Sequence, residues 1–386
     1  MKSNYNQLGQ YIEMVSRTNS DLKYGIEDVR GCSNTKQMMQ TRANLIGRTY
    51  EKFIVLRPQE FVFNRRTTRN GEKIGMAYNN TDREYIFTND YVAFRVKQEY
   101  LDKLLPDYLY LFFCRDEFDR YARYKSTGSA TEFFNWEDMC AVPFEIPPMD
   151  FQQLVVNAYK VLNKRIETKQ KINDNLATQA LTLFSDFVSH LSKKLEQRKL
   201  GDVIASANTG GDAIQKVPIV DYDTGIKCAR VGDITNAREY ASWAFCNASK
   251  SVYDNYKLQA GDILVTRTAT LGITQYIAKD ISAVYNNGLI RLKVNDTNAL
   301  PLYIYWAMKT SDFLNYINQM NSATSVRPNM KIDYLLNYQL SIPSIEEQTQ
   351  FTNTVEPLMN AISLNNDEIL KLSEFQAIIL TTLLSR

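Results

Sequence analysis

Between Pro148 and Lys199 about fifty residues pass without a glycine or a further proline, and an apolar heptad runs through them. Alternating steps of four and three residues give Val155, Tyr159, Leu162, Ile166, Lys169, Asn173, Leu176, Ala180, Leu183 and Phe187. That spacing puts these side chains on the seam of a helix that packs along a second long helix. At ~1.5 Å per residue it spans roughly 70 Å. Helices in compact domains usually run ~8–20 residues, so a spacer is expected rather than an ordinary core helix.

A second copy lies at the C-terminal end, where Phe351, Val355, Leu358, Ile362, Asn365, Ile369, Leu372, Gln376, Ile379 and Leu383 take the same steps. Adding 196 carries Val155 onto Phe351, Leu162 onto Leu358, Ile166 onto Ile362, Leu176 onto Leu372 and Leu183 onto Ile379. The polar Lys169 lands on Asn365, Ile146-Pro147 on Ile342-Pro343, and Gln152 on Gln348. Agreement in both pattern and offset argues for an internal repeat of about 195 residues.

The segments between the helices repeat as well. Residues 1–147 read as an α/β module, with strands at Glu51–Leu56, Glu60–Phe63, Tyr85–Val96 and Val142–Ile146, and a helix from Pro106 to about Tyr124. Residues 200–343 follow the same plan. Leu200-Gly answers Leu8-Gly, and Gly261-Asp-Ile-Leu-Val-Thr-Arg answers Gln59-Glu-Phe-Val-Phe-Asn-Arg. Arg291 answers Arg95, Pro301 answers Pro106, and Ser322-Ala-Thr answers Ser129-Ala-Thr, with Asn329 and Asn135 a similar distance beyond. The expected fold is α/β: modules at 1–147 and 200–343, and long helices at 148–199 and 344–386. Helix one ends at the second module, where helix two begins, so helix two must run back and pair antiparallel. The basic side chains of helix one and the acidic ones of helix two favour that pairing, each exposed ion pair contributing only ~0–1 kcal/mol. Pro357 removes a backbone donor and predicts a kink or a late start in helix two.

Catalytic constellations are missing. His190 is the single histidine, which excludes His-dependent zinc clusters, and within a long helix a surface or seam position is its commoner meaning. No glycine-rich phosphate loop and no dinucleotide fingerprint occurs. The five cysteines form no close C-x-x-C pair and read as reduced thiols. No apolar run approaches the ~20 residues of a membrane span, and no secretory signal opens the chain, so no membrane and a cytoplasmic location are expected. The net charge of +2 announces no polyanionic partner. Locally, Arg48, Lys52, Arg57, Arg65, Arg66, Arg69 and Lys73 outnumber the acids around them. A solvated basic face is the commoner meaning of such a run, and a phosphate footprint the sharper one. What remains is a duplicated binding module with divergent loops, suited to two different half-sites at a fixed separation, such as an asymmetric, gapped stretch of double-stranded DNA.

The sequence resembles the specificity subunit of type I restriction-modification systems over essentially its whole length. The resemblance is carried by Leu200-Gly-Asp-Val-Ile, by Gly261-Asp-Ile-Leu-Val-Thr-Arg-Thr-Ala-Thr-Leu-Gly, and by Ile342-Pro-Ser-Ile-Glu-Glu-Gln leading into a heptad helix. Copy one departs from it at Ile146-Pro-Pro-Met-Asp-Phe-Gln-Gln. The resemblance implies two target-recognition domains, a helical pair serving as ruler and assembly platform, and no catalysis or cofactor on this chain. It implies two methyltransferase subunits that bring S-adenosylmethionine and methylate adenine. Two restriction/translocase subunits using ATP and Mg are an optional addition.

Candidate DNA-reading residues are the basic and hydroxyl side chains of matched loops. One set is Arg65, Arg66 and Arg69 with Thr266, Arg267 and Thr268; the other is Lys125, Ser126, Ser129 and Thr131 with Ser322, Thr324, Ser325, Arg327 and Lys331. Turn capping and module packing are equally open meanings for these segments. Two rival readings stand beside this one: a coiled-coil adaptor whose modules bind proteins or glycans, and an enzyme with the modules as remote cleavage domains.

Overall fold

The computed structural model describes residues 6–41, 45, 47–67, 73–128, 131–191, 197–211, 217–323 and 329–383. Each module is built on a four-stranded antiparallel sheet. In module one, β1 (Ile12–Val15), β2 (Phe61–Asn64), β3 (Met76–Tyr78) and β4 (Tyr91–Val96) lie in the order β1-β4-β2-β3. In module two, β5 (Ile204–Thr209), β6 (Ile263–Thr266), β7 (Thr274–Tyr276) and β8 (Leu289–Val294) lie in the order β5-β8-β6-β7. The topology is the same. Helices α1 (Pro106–Phe113) and α2 (Asp116–Lys125) follow the first sheet, ahead of the long helix α3 (Met149–His190). Helices α4 (Pro301–Ala307) and α5 (Ser311–Ala323) follow the second, ahead of the long helix α6 (Ile345–Ile378).

Closing contacts repeat residue for residue. Leu8 N donates to Val142 O at 2.9 Å, and Leu200 N to Tyr338 O at 2.8 Å, so each module's opening is tied to its end. Glycine follows both leucines because a Cβ on Gly9 would meet the Cys140 Cβ at 2.7 Å, and one on Gly201 the Leu336 Cβ at 3.3 Å. Gln152 and Gln348, both fully buried, lie in the first turns of α3 and α6. Gln152 accepts from Leu105 N at 2.9 Å and donates to Pro147 O at 2.8 Å; Gln348 accepts from Leu300 N at 2.8 Å and donates to Pro343 O at 2.9 Å. Each glutamine therefore clamps the residue before a helix-starting proline to the proline before a long helix. Replacing Gln348 by Leu strands a buried N–H and a buried C=O, at about 1–3 kcal/mol each. The expected loss is about 2–6 kcal/mol, read by urea unfolding through Trp243 and Trp306; an unchanged midpoint refutes the clamp.

The cores differ in filling. Phe61 stacks between Tyr78 and Phe94 at 4.7 and 5.0 Å in module one, where module two packs the aliphatic Ile263, Val265, Ile290 and Leu292. Module one also buries an ion pair, Lys36 with Asp119, 3% and 5% exposed. Asp119 further accepts from Ile74 N at 3.0 Å, and Lys36 donates to Ile74 O at 2.9 Å. Burial pulls the Lys36 ammonium below its ordinary value, opposed by Asp119. Asp119→Ala strands that charge and is expected to cost about 3–5 kcal/mol, read through Trp136. Because the folded pKa lies below the unfolded one, the unfolded state binds more protons. The deficit should therefore shrink as pH rises toward the ordinary lysine value; a deficit constant with pH would exclude the stranded charge as its cause.

The structure corrects several expectations. Tyr85–Val96 is two strands, Tyr85–Phe87 and β4, parted by a turn in which Tyr91 N donates to Thr88 O at 3.2 Å. The helix expected from Pro106 to Tyr124 breaks at Cys114-Arg115, where Arg115 is extended. Val142–Ile146 forms no strand, only a bridge between Gln7 and Pro143. The spacer helix does not reach Lys199: Gln197–Lys199 instead pairs with Gln339–Ser341, a ladder that outcompetes helix in a segment without seam residues. Helix α6 starts at Ile345 and carries Pro357 inside it, so there is no late start.

The chain divides into two compact units, Met1–Ile166 with Lys371–Arg386, and Glu167–Leu370. Both long helices contribute to each. In the first unit Val155 and Val156 are buried in module one's core, with Tyr159, Ile379 and Leu380 packed against it. In the second, Phe184 lies 5.2 Å from Phe351, while Lys169 Nζ pairs with Glu368 Oε2 at 2.7 Å. Later residues of α3 meet earlier residues of α6, so these segments run antiparallel.

Seam positions Ile166, Val355 and Leu372 are buried, and Leu162, Leu176, Leu358, Ile362 and Ile379 half-buried. Leu183 departs from the seam. It is 36% exposed, and Phe184 is buried in its place. From Leu176 the buried face advances by four, four and three residues through Ala180, Phe184 and Phe187, a 3.67-residue period closer to a straight helix than the heptad. Phe184 is drawn inward by Tyr303 at 5.4 Å and Phe351.

Candidate nucleic-acid interface

The two loop sets singled out in the sequence converge in each module. In module one, Arg65 leaves the end of β2 and its carbonyl accepts from Phe134 N at 2.9 Å. Backbone bridges join Arg66 and Thr127 to Phe133. Thr67 N donates to Glu132 O at 3.0 Å, and Arg123 pairs with Glu132 at 2.7 Å. The loop after β2 is thus laced to the loop after α2. In module two, Arg267 O accepts from Met330 N at 2.8 Å, and Thr268 bridges Asn329. The lacing is the same, with Met330 in the place of Phe134, both fully buried. Asn329 therefore corresponds to Phe133 and not to Asn135; Lys331 takes the Asn135 place, each being the residue before a short helix.

Side chains at the matched places differ. Arg65 is exposed and reaches the Phe133 ring at 6.0 Å. Arg66, 59% exposed, pairs with Asp90 at 3.4 Å. Lys125 sits 5.9 Å from both the Tyr121 and Tyr124 rings, and Ser126 turns back to Ala122 O at 2.7 Å. Burial, with Asp138 beside it, pushes the Tyr121 phenol above its ordinary value, so it stays a neutral donor. Thr131 is half-buried and Lys331 exposed. Arg267 is half-buried, and its Nε donates to Met330 O at 3.1 Å. Thr266 is a correction: it is fully buried, and its hydroxyl accepts from Ile273 N at 2.9 Å, so it holds the loop rather than reaching a groove. Thr268 is half-buried. The turn beyond it has a positive φ at Ala269 (63°) and at Gly272 (76°), where a Cβ would meet Ile317 at 2.9 Å. A non-glycine residue held at such a φ marks local strain of the kind that clusters at binding sites. Arg69, Ser129, Thr324, Ser325 and Arg327 lie outside the described residues, and Ser322 is placed only as part of α5.

Sequence reading overlooked Tyr124, 82% exposed at the end of α2, and Phe133. It also passed over Asn287, whose carbonyl accepts from Arg267 at 3.5 Å. The Asn287-Gly288 dipeptide was a readable turn signal. Phe133 had none, because only the fold puts it under Arg65. Among the described residues no group of three His, Cys, Asp or Glu side chains could hold a metal ion, and no helix is long and apolar enough to cross a membrane.

Residues 33–178 and 192–374 match the family described as Type I restriction modification DNA specificity domain, one stretch per module with its share of the long helices. The chain belongs to this family. It is a specificity subunit of the type I restriction-modification class, and DNA recognition is its role. Its fold is similar to that of a type I restriction-modification S subunit from M. genitalium, at 12% identity and a TM-score of 0.51 over 99% of this chain and 97% of that one. The HsdS subunit from Thermoanaerobacter tengcongensis also matches, at 15% identity and a TM-score of 0.36 over 98% of this chain and 96% of that one. No curated protein matches the chain.

Proposed function

We propose that this specificity subunit reads an asymmetric, bipartite DNA target, one half-site per module, in the cytoplasm and without catalysis of its own. Two methyltransferase subunits assemble on it and bring S-adenosylmethionine. Two restriction/translocase subunits, working with ATP and Mg, complete the nuclease where the system restricts. The observation that carries the reading is the same laced pair of loops in both modules, bearing different side chains. A shared scaffold with unlike readers suits unlike half-sites.

Partner recruitment is supported by an apolar groove of the first unit, lined by Leu154, Val161, Phe375 and Ile378, which are 64%, 66%, 57% and 53% exposed. Single exposed apolar residues are ordinary, whereas a contiguous patch marks an interaction site. The test is to co-express the chain with its adenine methyltransferase partner and map methylated adenines across a genome. A bipartite asymmetric motif that appears only when this chain is present is expected; methylation independent of the chain, or none from a stable complex, overturns the reading.

Among the reading residues, Arg65 and Arg267 should part company. Arg65→Ala removes an exposed cation and is expected to weaken DNA binding by about tenfold and lower the salt slope by about one, with melting unchanged. Arg267→Ala breaks a bond to a buried segment and should cost about 1–3 kcal/mol of stability. Fluorescence anisotropy across a salt series, with parallel melts, separates them; a melting loss in the Arg65 variant would count against the assignment.

A further inference from the structure

In module two a buried carboxylate holds two arginines. Asp233 is 1% exposed and lies in the short helix Val231–Thr235. Its Oδ2 accepts from the Arg230 backbone N–H at 3.0 Å and from Arg230 Nε at 3.2 Å, and its Oδ1 from Arg238 Nη1 at 3.3 Å. The side chains of Arg230 and Arg238 are 39% and 50% exposed. One carboxylate offsets one of two guanidinium charges, so the cluster keeps a surplus positive charge at the surface. Arg230 donates to Asp233 through Nε, and its two terminal nitrogens have no hydrogen-bond partner among the described residues. A side chain fixed before its ligand arrives costs less to order on binding.

Arg230 stands beside the candidate loop of its own module. The strand Lys227–Ala229 leads into it, and Ala229 O accepts from Asn286 N at 3.0 Å. On the other side, a Cβ on Gly288 would meet Val231 Cγ2 at 2.4 Å and Thr268 Oγ1 at 2.9 Å. Both neighbours of Arg230 therefore lie against the turn 286–288. Thr268 presses on the same turn, and Asn287 O in it accepts from Arg267.

Module one builds this turn with its cation in another place. Tyr91 pairs with Asn64 at the end of β2, and Leu289 with Thr266 at the end of β6. Five residues ahead of them, Ile86 answers Val284; these pair in parallel with Val29 and Cys228. Gly31 thus answers Arg230, Asp90 answers Gly288, and Arg66 answers Thr268. Module one has its cation on the loop, where Arg66 pairs with Asp90 at 3.4 Å, and a glycine at the strand end. Module two has neither member of that pair and carries a cation at the strand end instead. A brace for Asp233 gives no reason for this exchange, whereas a need for positive charge at the turn does. A charge kept while its origin moves suits a phosphate, which positions the duplex without reporting its sequence. We propose that Arg230 contacts a DNA phosphate in module two, in the role of Arg66, an assignment that rests on the reading of DNA by these loops.

Arg230→Gln keeps a donor for Asp233 and removes the charge. In the complex with the methyltransferase, on a duplex carrying the mapped motif, affinity should fall about tenfold and the salt slope by about one. A scrambled duplex should be weakened equally. Adding Thr268→Arg, which returns the cation to the place module one uses, should restore affinity and slope. Unchanged affinity and slope overturn the assignment, as does a loss confined to the motif duplex with the slope kept, or one that Thr268→Arg leaves in place. Should Arg230→Gln fail to fold, the unaltered complex decides. Bound duplex should shield Arg230 from a dicarbonyl arginine reagent, read by peptide mass spectrometry, and equal modification with and without DNA overturns the assignment. An unaltered complex that binds no duplex overturns it together with the loop reading; a binding complex with an indifferent variant overturns it alone.

Discussion

Replacing residues 200–343 with the corresponding module of a relative is expected to change one half of the methylated motif and leave the other half intact. The expectation rests on closure. Leu200 is bonded to Tyr338, Gln348 clamps Leu300 to Pro343, and Arg267 is laced to Met330. Apart from Gln348 in α6, these partners travel with the module. The graft must keep a backbone N–H at the Leu300 position and a C=O at the Pro343 position for the recipient's Gln348, and an apolar face toward Phe184 and Phe351. Motif mapping by single-molecule sequencing reads the result. A swap that altered both halves, or neither, would refute modular reading. Because one base pair typically carries ~1–3 kcal/mol of discrimination, a new half-site should appear as a complete change of motif and not as a weaker copy of the old one.

Phe375→Asp is expected to abolish stable capture of the methyltransferase subunit while leaving the chain folded. Phe375 is 57% exposed, so an aspartate there meets water in the free chain. In the complex the same charge would be buried without a partner against Leu154, Val161 and Ile378, which line the groove with it. Losing a buried aromatic anchor costs about 2–4 kcal/mol, and the stranded charge adds to that. Leu364→Asp is the control. Leu364 is 70% exposed, on the same helix, and does not line the groove. Co-purification and genome methylation should fall together in the first variant and persist in the second. Equal loss in both would point to helix damage, and retention in both would move the docking face elsewhere.

Much of the architecture is legible in the order of the amino acids. The offset that sets Gln152 on Gln348 and Lys169 on Asn365 is a property of the chain. Both pairs of positions do equivalent work: the glutamines clamp, and Lys169 Nζ donates to Asn365 Oδ1 at 2.8 Å. What periodicity misses is tertiary choice. Leu183 fits the heptad as well as any residue, yet a neighbouring phenylalanine with two aromatic partners wins the buried place. Tyr85–Val96 has strand chemistry throughout, and only the Thr88 turn divides it. At the candidate loops the structure brings together the two segments singled out in each module, while their side chains differ in burial and in partners. Thr266 and Arg267 hold the loop, while Phe133 and Tyr124 stand beside Arg65 and Lys125 with no local pattern to mark them.

Beneath Lys169 lies a short stack of amides. Asn173 Nδ2 donates to Asn366 Oδ1 at 2.6 Å, Asn365 Nδ2 returns to Asn173 Oδ1 at 2.8 Å, and Asn366 donates on to Glu239 at 2.6 Å. Helices joined only by apolar side chains can slip past one another by a heptad and bury nearly the same surface. Here a slip would press the Lys169 ammonium and three amides against hydrocarbon. One alignment is therefore strongly preferred over its neighbours, as a polar residue in a coiled-coil seam dictates. The polar layer acts as a detent: it sacrifices some adhesion, and in return a chain whose modules are exchanged between relatives finds the same helical alignment each time it folds.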